Sequence, residues 1–155
     1  MKKPIELHVT KEGYANLQNE FNALTERRPG VLTRMVAARE QGDLSENAGY
    51  HAAKEELGRI DRRLRELKVM LRFADIIEAT GYDTVSFGGS VKVKIDGDEM
   101  DYAIVSAIEA DPMKGKVSDS SPIGKALLGK KVGEKVNIET PGGTVIYEIL
   151  EIKAS

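Results

Sequence analysis

Apolar residues in the first half of the chain recur at intervals that alternate between three and four positions. The repeat begins at Tyr14 and continues through Leu17, Phe21, Leu24, Arg28, Val31, Met35 and Ala38. After an interruption the same spacing resumes through Tyr50, Ala53, Leu57, Ile60, Leu64, Leu67, Leu71 and Ala74. A mean spacing of about 3.5 residues is typical of a coiled-coil seam. The pattern predicts two long helices, the first of them capped at its start by Thr10.

The connection between the two repeats is short, running only from Gln41 to Asn47. Such a connection requires the two helices to run antiparallel as a hairpin. With some 30 residues in each arm and about 1.5 Å per residue, the hairpin forms a rod about 45 Å long. Pro29-Gly30 interrupts the first arm beside the polar Arg28, and this predicts a kink or local unwinding that costs about 3 kcal/mol.

The second half of the chain changes to short β-branched runs separated by turn signals. The predicted strands are Ser90–Ile95, Tyr102–Ile108, Lys135–Thr140 and Thr144–Ile152. Turns are predicted at Asp96-Gly97-Asp98, which closes a hairpin, and at Pro141-Gly142-Gly143. One short helix is predicted at Pro122–Leu128, with Ser121 as N-cap and Gly129 at its end.

These two patterns predict an α+β protein with two domains. The helical hairpin occupies residues 1–77 with an acidic tip at 42–47, and a small α+β sheet domain occupies residues 78–155 after a linker at Glu78–Thr84. A core as small as that of the sheet domain is marginal by itself. We therefore expect the base of the hairpin to support it.

Composition narrows the class of protein. The 155 residues are 41% hydrophobic and 31% charged, which predicts a folded chain. A net charge of −2 argues against bulk electrostatic binding to nucleic acid, although local patches remain possible. The absence of cysteine excludes disulfides and thiolate metal sites and fits a reducing compartment. We expect an untethered cytoplasmic protein without a membrane segment or a leader, because no long apolar run is present.

The connection between the helices contains two acids, Asp43 and Glu46, and two interpretations of them are open. In the first they are structural: Gly42 takes a left-handed conformation after helix one, and Asp43 and Glu46 form a capping box at the start of helix two. In the second they bind metal. Mg²⁺ takes six oxygens, of which proteins usually supply only one or two carboxylates. Two acids at the end of a rod would then be half of a metal site that another macromolecule completes.

The sequence GDLSENAGYHAAKEE at residues 42–56 resembles the tip motif of the bacterial GreA/GreB transcript-cleavage factors. The stretches SSPIGKALLGKKVGEKV at 120–136 and ETPGGTVIYEILEI at 139–152 resemble the second domain of that family. The resemblance covers nearly the whole chain in order, and the tip motif is long and specific. It implies a coiled-coil hairpin followed by an FKBP-like domain.

The resemblance also implies a function. The protein would enter the secondary channel of RNA polymerase and stimulate the polymerase's own cleavage of backtracked RNA. Asp43 and Glu46 match the family's paired tip acids, which help to hold the second catalytic Mg²⁺ and position the attacking water. Ser45, Asn47 and Tyr50 match residues that support the tip. The chain would have no cofactor of its own, would share Mg²⁺ with the polymerase, and would be a monomer and not an enzyme by itself.

One position departs from the family pattern. Gly49 stands where the family commonly has glutamate, and glycine in a helix costs roughly 1 kcal/mol relative to alanine. The exact start of helix two and the electrostatics of the tip are therefore open. Tyr50, at the end of the seam, either packs there or stacks on a base, and His51, without clustered ligand partners, is expected to be structural or to face solvent.

The basic side chains of the hairpin have two interpretations. They form either a solvated face with pairs such as Glu55–Arg59 and Asp61–Arg65 or, as the resemblance implies, a contact with the extruded 3′ segment of backtracked RNA. The residues concerned are Arg27, Arg28, Arg34, Arg39, Lys54, Arg59, Arg62, Arg63, Arg65, Lys68 and Arg72.

The loop from Asp119 through Ser121 to Pro122 either caps the short helix or, by the resemblance, docks on the polymerase. Three rival functions are a related inhibitory channel factor, an FKBP-like prolyl isomerase and a self-sufficient Mg²⁺ hydrolase. The intact pair Asp43 and Glu46 argues against the first, few aromatic residues in the second domain argue against the second, and too few ligands argue against the third.

Overall fold

The computed structural model describes residues 7–42, 46–79, 81 and 83–154 of the chain. These residues form two compact units, one containing Tyr14–Ala74 and the other containing His8–Gly13 together with 75–154. The first unit is helical and the second is built on a β-sheet. The fold is therefore α+β, as the sequence predicts.

The first unit is an antiparallel pair of helices, α1 at Lys11–Arg39 and α2 at Ala48–Phe73. Every residue of the predicted seam is buried or half-buried, and most of the residues between them are exposed. Ion pairs join Glu20 to Arg63 and Arg27 to Glu56. Residues nearer the start of α1 thus pair with residues nearer the end of α2, so the two helices run antiparallel. The predicted coiled-coil hairpin is confirmed. Ala74, expected to be the last seam position of the helix, instead begins a strand.

Pro29 and Gly30 do not unwind the first arm, because α1 continues from Lys11 to Arg39 without a break. The expectation of local unwinding is wrong. Val31, the next seam position, is only 1% exposed, and Arg28 reaches Asp61 on α2 through two hydrogen bonds of 2.6 and 3.2 Å. Packing against α2 on both sides of the proline thus offsets the lost backbone hydrogen bond.

Two strands near the hairpin were not predicted. β1 at Leu7–Val9 pairs with β2 at Ala74–Ile76 in a two-stranded sheet, and the Ile77 N–H donates to the Val9 carbonyl at 2.9 Å. Strands of three residues contain too little alternation for a period-2 pattern to be recognised. The predicted N-cap is confirmed, since the Thr10 hydroxyl accepts from the Gly13 N–H at 3.0 Å.

The second unit contains a five-stranded sheet with the order β5-β4-β3-β7-β6. Its strands are β3 at Ser90–Ile95, β4 at Asp98–Val105, β5 at Lys116–Ser118, β6 at Lys135–Thr140 and β7 at Gly143–Lys153. β5 runs parallel to β4 and the other neighbours are antiparallel. A 3₁₀ turn at Pro112–Lys114 precedes β5, and α3 at Pro122–Leu127 follows it.

Most of the predicted sheet is confirmed, and the differences lie at its turns. β3 and β6 have the predicted bounds, β7 is longer at both ends, and β4 begins at Asp98 and not Tyr102 and ends before Ile108. Ile95 pairs with Asp98 across Asp96-Gly97, whose φ angles are +50° and +87°. These angles are typical of the tight hairpin turn that lets a strand continue directly through the turn.

The core of this unit lies where α3 covers the sheet. Leu127 of α3 is fully buried, as are Val93 and Ile104 of the sheet. The other buried members of this cluster are Val85, Val91, Val136, Ile138, Tyr147, Ile149 and Ile152. The Ser121 hydroxyl accepts from the Gly124 N–H at 3.0 Å, so its predicted N-cap role is confirmed. The cap at the other end is Leu128, with Gly129 following at a φ of +80°.

Candidate functional site

The turn that carries the candidate acids begins where α1 stops. After Arg39 the chain makes one more turn, in which the Gln41 N–H donates to the Ala38 carbonyl at 3.1 Å. Gly42 then has a φ of +127°, a backbone conformation that side chains with a Cβ rarely adopt. Asp43 and Ser45 lie outside the described residues. Glu46 is exposed and precedes α2.

Asn47, and not Asp43, caps the second helix. Its Oδ1 accepts from the Tyr50 N–H at 3.0 Å, and α2 begins at Ala48. A capping box with Glu46 inside the first turn is therefore excluded, and the structural interpretation of the two acids was wrong for Glu46. No described residue donates a hydrogen bond to the Glu46 carboxylate or pairs with it.

The same asparagine also binds the end of the first helix. Its Nδ2 donates to the carbonyl oxygen of Ala38 at 2.6 Å. The Ala38 carbonyl therefore accepts two hydrogen bonds, one from the Gln41 N–H of the turn and one from Asn47. A Cβ at Gly49 would lie 3.5 Å from Asn47 Oδ1 and 3.9 Å from the Ala38 Cβ. Both are ordinary contacts, so the departure at Gly49 leaves the position of Asn47 undisturbed.

Tyr50 is half-buried at the tip end of the seam. Its ring centroid lies 5.4 Å from that of His51 in an edge-to-face arrangement, and Lys54 Nζ lies 5.9 Å from the Tyr50 centroid. Packing and cation contact therefore account for this ring within the described residues. Among those residues no group of three or more His, Cys, Asp or Glu is placed to hold a metal ion.

Four of the arginines form ion pairs with acids on the opposite helix. Glu56 accepts from both Arg27 and Arg34, and Arg28 pairs with Asp61. Glu20 accepts from Arg63 at 2.6 and 3.0 Å. Along α2, no ion pair joins Glu55 to Arg59 within the described residues. Asp61 makes its hydrogen bonds with Arg28 on the opposite helix, and the predicted partner Arg65 acts on it only electrostatically.

These pairs shift the ionisation of the acids. The pKa of Asp61 is lowered chiefly by its hydrogen bond from Arg28, and the pKa of Glu56 is lowered by hydrogen bonds from Arg27 and then Arg34. Lys54 and Arg72 lie over aromatic rings. Arg65 adds a weaker electrostatic effect on Asp61. Other basic side chains have no acidic partner among the described residues: Arg39, Arg59, Arg62 and Lys68.

The candidate docking loop is organised by its own side chains. The Ser121 hydroxyl donates to the Ser118 carbonyl at 2.6 Å while it caps α3. Pro122 follows as the first helical residue and is exposed. Gly124 packs so closely on the Ser118 backbone that a Cβ would overlap the carbonyl oxygen. The geometry fixes the conformation of the loop and leaves Pro122 available to solvent.

Asp119 has a partner that the sequence did not indicate. Its Oδ2 lies 2.6 Å from Nε2 of His8, whose ring meets Phe87 edge to face with centroids 4.8 Å apart. More than a hundred positions separate His8 from Asp119, and no local pattern joins them. The partly exposed Asp119 carboxylate is therefore oriented by β1.

A second unpredicted group is the carboxylate of Glu109. It accepts from the Thr10 N–H at 3.1 Å, from the Thr10 hydroxyl and from the Ser106 hydroxyl at 2.6 Å. Burial by itself would raise the pKa of Glu109, but the hydrogen bonds from Ser106 and Thr10 outweigh it and lower the pKa. A Cβ at Gly13 would overlap this side chain, so only glycine leaves room for it.

Two family models match the chain in sequence, and both describe a transcription elongation factor. The model of the N-terminal domain matches residues 7–76, and the model of the GreA/GreB C-terminal domain matches residues 79–154. Together they span the helical hairpin and the sheet. The chain belongs to the GreA/GreB family of transcription elongation factors.

Individual relatives agree with that assignment. The chain is 48% identical over 150 residues to transcription elongation factor GreA of Bacillus cytotoxicus, a match that covers 94% of this chain and 95% of that one. It is 46% identical over 158 residues to GreA of Caldanaerobacter subterraneus, covering 99% of each. Both of these relatives carry the name GreA.

Solved structures include similar chains. The crystal structure of GreA factor homolog 1 of Thermus thermophilus is 31% identical, covers 96% of this chain and 99% of its own, and has a TM-score of 0.45. A GreA/GreB factor of Nitrosomonas europaea is 21% identical, with coverage of 66% and 92% and a TM-score of 0.43. No described helix of the present chain is long and apolar enough to cross a membrane.

Proposed function

We propose that this chain enters the secondary channel of RNA polymerase and stimulates the polymerase's own Mg²⁺-dependent cleavage of backtracked RNA, which rescues arrested complexes. The observation that carries the proposal is Glu46. It is an exposed acid between two helices, outside the capping interactions that a structural role would require. Its place in the motif GDLSEN supplies the second acid, Asp43.

Two carboxylates are enough for the contribution that this chain would make to phosphodiester hydrolysis. Hydrolysis of a phosphodiester by two metal ions uses one metal to activate water and the other to stabilise the leaving oxygen. Carboxylate oxygens are the ligands that Mg²⁺ prefers, and phosphate and water oxygens complete its coordination. Asp43 and Glu46 would hold the second ion and orient the attacking water, while the polymerase supplies the remaining ligands. The chain is then a co-catalytic factor and not an enzyme by itself.

The surrounding residues have supporting roles in this proposal. Asn47 fixes the ends of both helices, and Ser45 and Tyr50 support the turn. The exposed carboxylate of Glu46 has no partner among the described residues. Asp119, Ser121 and Pro122 form part of the docking surface for polymerase. Arg59, Arg62 and Lys68 of α2, which have no acidic partner among the described residues, offer contacts to the 3′ segment of the backtracked RNA, which salt would weaken.

The decisive test is a cleavage assay on a purified, backtracked elongation complex with RNA labelled at its 5′ end. We expect the protein to shorten the RNA much faster than polymerase does alone, and only when Mg²⁺ is present. Unchanged cleavage at a concentration that saturates polymerase would overturn the proposal. The same RNA without polymerase tests the self-sufficient hydrolase, and slower nucleotide addition would identify an inhibitory factor. A prolyl peptide assay tests the isomerase.

A further inference from the structure

The weakest point of α1 lies between its base and the acidic turn. Pro29 has no N–H, so the carbonyl of Thr25 lacks the donor that a helix normally provides, and Gly30 has no side chain to pack. Nothing lies within 4 Å of where a Cβ of Gly30 would be. The helix nevertheless continues to Arg39. Some interaction outside the backbone of α1 must therefore join the two sides of this interruption.

The apolar seam beyond the proline gives limited support. Val31 is buried, but Met35 and Ala38 are only half-buried, and the facing arm near the turn contributes the buried Ala53 and the half-buried Tyr50. Burial contributes in proportion to the apolar area removed from water, so alanines and half-exposed side chains contribute less than large side chains that are fully buried. Polar contacts between the arms have a correspondingly greater share here.

Glu56 of α2 makes those contacts on both sides of the interruption. Its Oε1 accepts from Arg27 Nε at 2.8 Å, before Pro29, and its Oε2 accepts from Arg34 Nη2 at 2.8 Å, after Gly30. Arg27 and Arg34 are one heptad apart, so both lie on the same side of α1. The Glu56 side chain is 18% exposed, against more than 60% for each arginine. Each carboxylate oxygen thus serves one side of the proline.

The neighbouring ion pair cannot have this role. Arg28 and Asp61 form two hydrogen bonds, but both reach α1 on the N-terminal side of Pro29. The pair of Glu20 with Arg63 lies still further from the turn. Within the described residues, Glu56 is the acid of α2 that pairs with arginines on both sides of Pro29-Gly30.

We propose that Glu56 is a positioning residue that bridges the Pro29-Gly30 interruption and holds the last part of α1, and with it the turn carrying Asp43 and Glu46, in place against α2. Glu56 does not itself contact RNA or metal in this proposal. Its effect on cleavage rests on the function proposed above, whereas its effect on the hairpin does not. The bridge lets a helix with a proline in its middle present its far end at a fixed position.

The test compares Glu56→Ala with Glu20→Ala, which removes two cross-helix hydrogen bonds from Arg63 away from the proline. Hydrogen exchange reports the opening of individual amides. We expect Glu56→Ala to accelerate exchange at residues 31–38 by about tenfold or more, and Glu20→Ala to leave those amides within about twofold of wild type. In the backtracked-complex assay, Glu56→Ala should lower stimulated cleavage several-fold while competition for polymerase stays near wild type.

A variant without the proline and glycine tests whether the effect of Glu56 depends on the Pro29-Gly30 interruption. In Pro29→Ala/Gly30→Ala the backbone hydrogen bond is restored, so adding Glu56→Ala should change exchange and cleavage by less than about twofold. Equal effects of Glu56→Ala and Glu20→Ala on residues 31–38, or a full effect of Glu56→Ala in the repaired background, would overturn the inference. If exchange responds as expected but wild type stimulates no cleavage, the bridge stands and the proposed function fails.

Discussion

The side-chain amide of Asn47 lies 2.6 Å from the carbonyl oxygen of Ala38, and this contact joins the end of α1 to the start of α2. The same side chain caps α2 through the Tyr50 N–H. One residue thus adds a second hydrogen bond to a carbonyl at the end of one helix and satisfies a free N–H at the start of the next. The turn between them is closed at its base without the participation of Glu46.

The two functions of Asn47 can be separated by substitution. Asn47→Ala loses both bonds and should lower the free energy of unfolding by about 1–2 kcal/mol. Asn47→Asp keeps an oxygen for the cap but has no donor for Ala38, so it should be the more stable of the two. Urea unfolding measures the difference. If closure of the turn matters for function, both variants lose stimulated cleavage, and wild-type cleavage by Asn47→Asp would contradict a role for the Ala38 bond.

Removal of either acid should abolish stimulation without preventing docking. We expect Asp43→Ala and Glu46→Ala to lose nearly all stimulated cleavage, because each removes a proposed ligand, while competition with wild type for polymerase stays nearly intact. Glu40→Ala is the matched control, since Glu40 is an exposed acid beside the same turn but outside the motif. A loss of binding in proportion to the loss of cleavage would assign the acids to docking.

The length of the hairpin should be as important as its tip. Deletion of residues 17–23 with residues 63–69 removes one heptad from each arm, takes out Glu20 together with Arg63, and keeps the pairs of Arg28 and Glu56. The arms shorten by about 10 Å at roughly 1.5 Å per residue. Circular dichroism should show a folded helical protein, and competition should show binding. Mg²⁺ binds oxygen ligands only at about 2.1 Å, so carboxylates displaced by this shortening cannot coordinate it and stimulated cleavage should be lost. Near-normal cleavage would show that the acids do not need to reach the polymerase active site.

Two glycines within helices should respond oppositely to alanine. Gly58→Ala meets no atom within 4 Å and should stabilise the protein by about 0.5–1 kcal/mol. Gly13→Ala gains the same helical preference but drives the Glu109 carboxylate from its hydrogen bonds. Hydrogen bonds to charged groups contribute about 1.5–3 kcal/mol each, so the loss of even one outweighs the helical gain and should destabilise the protein by at least about 0.5 kcal/mol. Thermal unfolding of both variants checks the signs, and a stabilising Gly13→Ala would show that Glu109 relocates freely.

Acid should destabilise the protein partly through Glu109. Its pKa in the folded protein is below the ordinary value of 4.5, so the unfolded chain takes up protons first as the pH falls. The stabilisation is fully present above about pH 4.5 and is lost as the pH falls through the lowered pKa. Glu109→Gln should therefore reduce the dependence of unfolding free energy on pH below about 4.5. Glu99→Gln, which changes the same charge on an exposed strand, is the control, and equal slopes for both variants would contradict the assignment.

The sequence alone determined the periodic and local parts of this protein. Spacing of three and four fixed which faces of α1 and α2 meet, because a helix repeats its face about every 3.6 residues wherever it packs. A short connection then left only the antiparallel arrangement. Thr10 and Ser121 were recognisable as caps, and Asp96-Gly97 as a turn, since each acts on residues within a few positions. Asp43 and Glu46 stand out because they lie in the short connection between the two repeats and within a motif that resembles a known family.

Tertiary structure decided what depends on partners distant in the chain. Short strands such as β1 and β5 exist only because other strands pair with them, and the partners of Glu56, Asp119 and Glu109 lie on other elements. The same holds for the start of α2: a capping box at 43–46 satisfied local rules, yet Asn47 makes the cap because it also reaches the Ala38 carbonyl. Local patterns determine which conformation is favoured by residues that are close in sequence. A hydrogen bond between two helices can form only after packing has brought its donor and acceptor together.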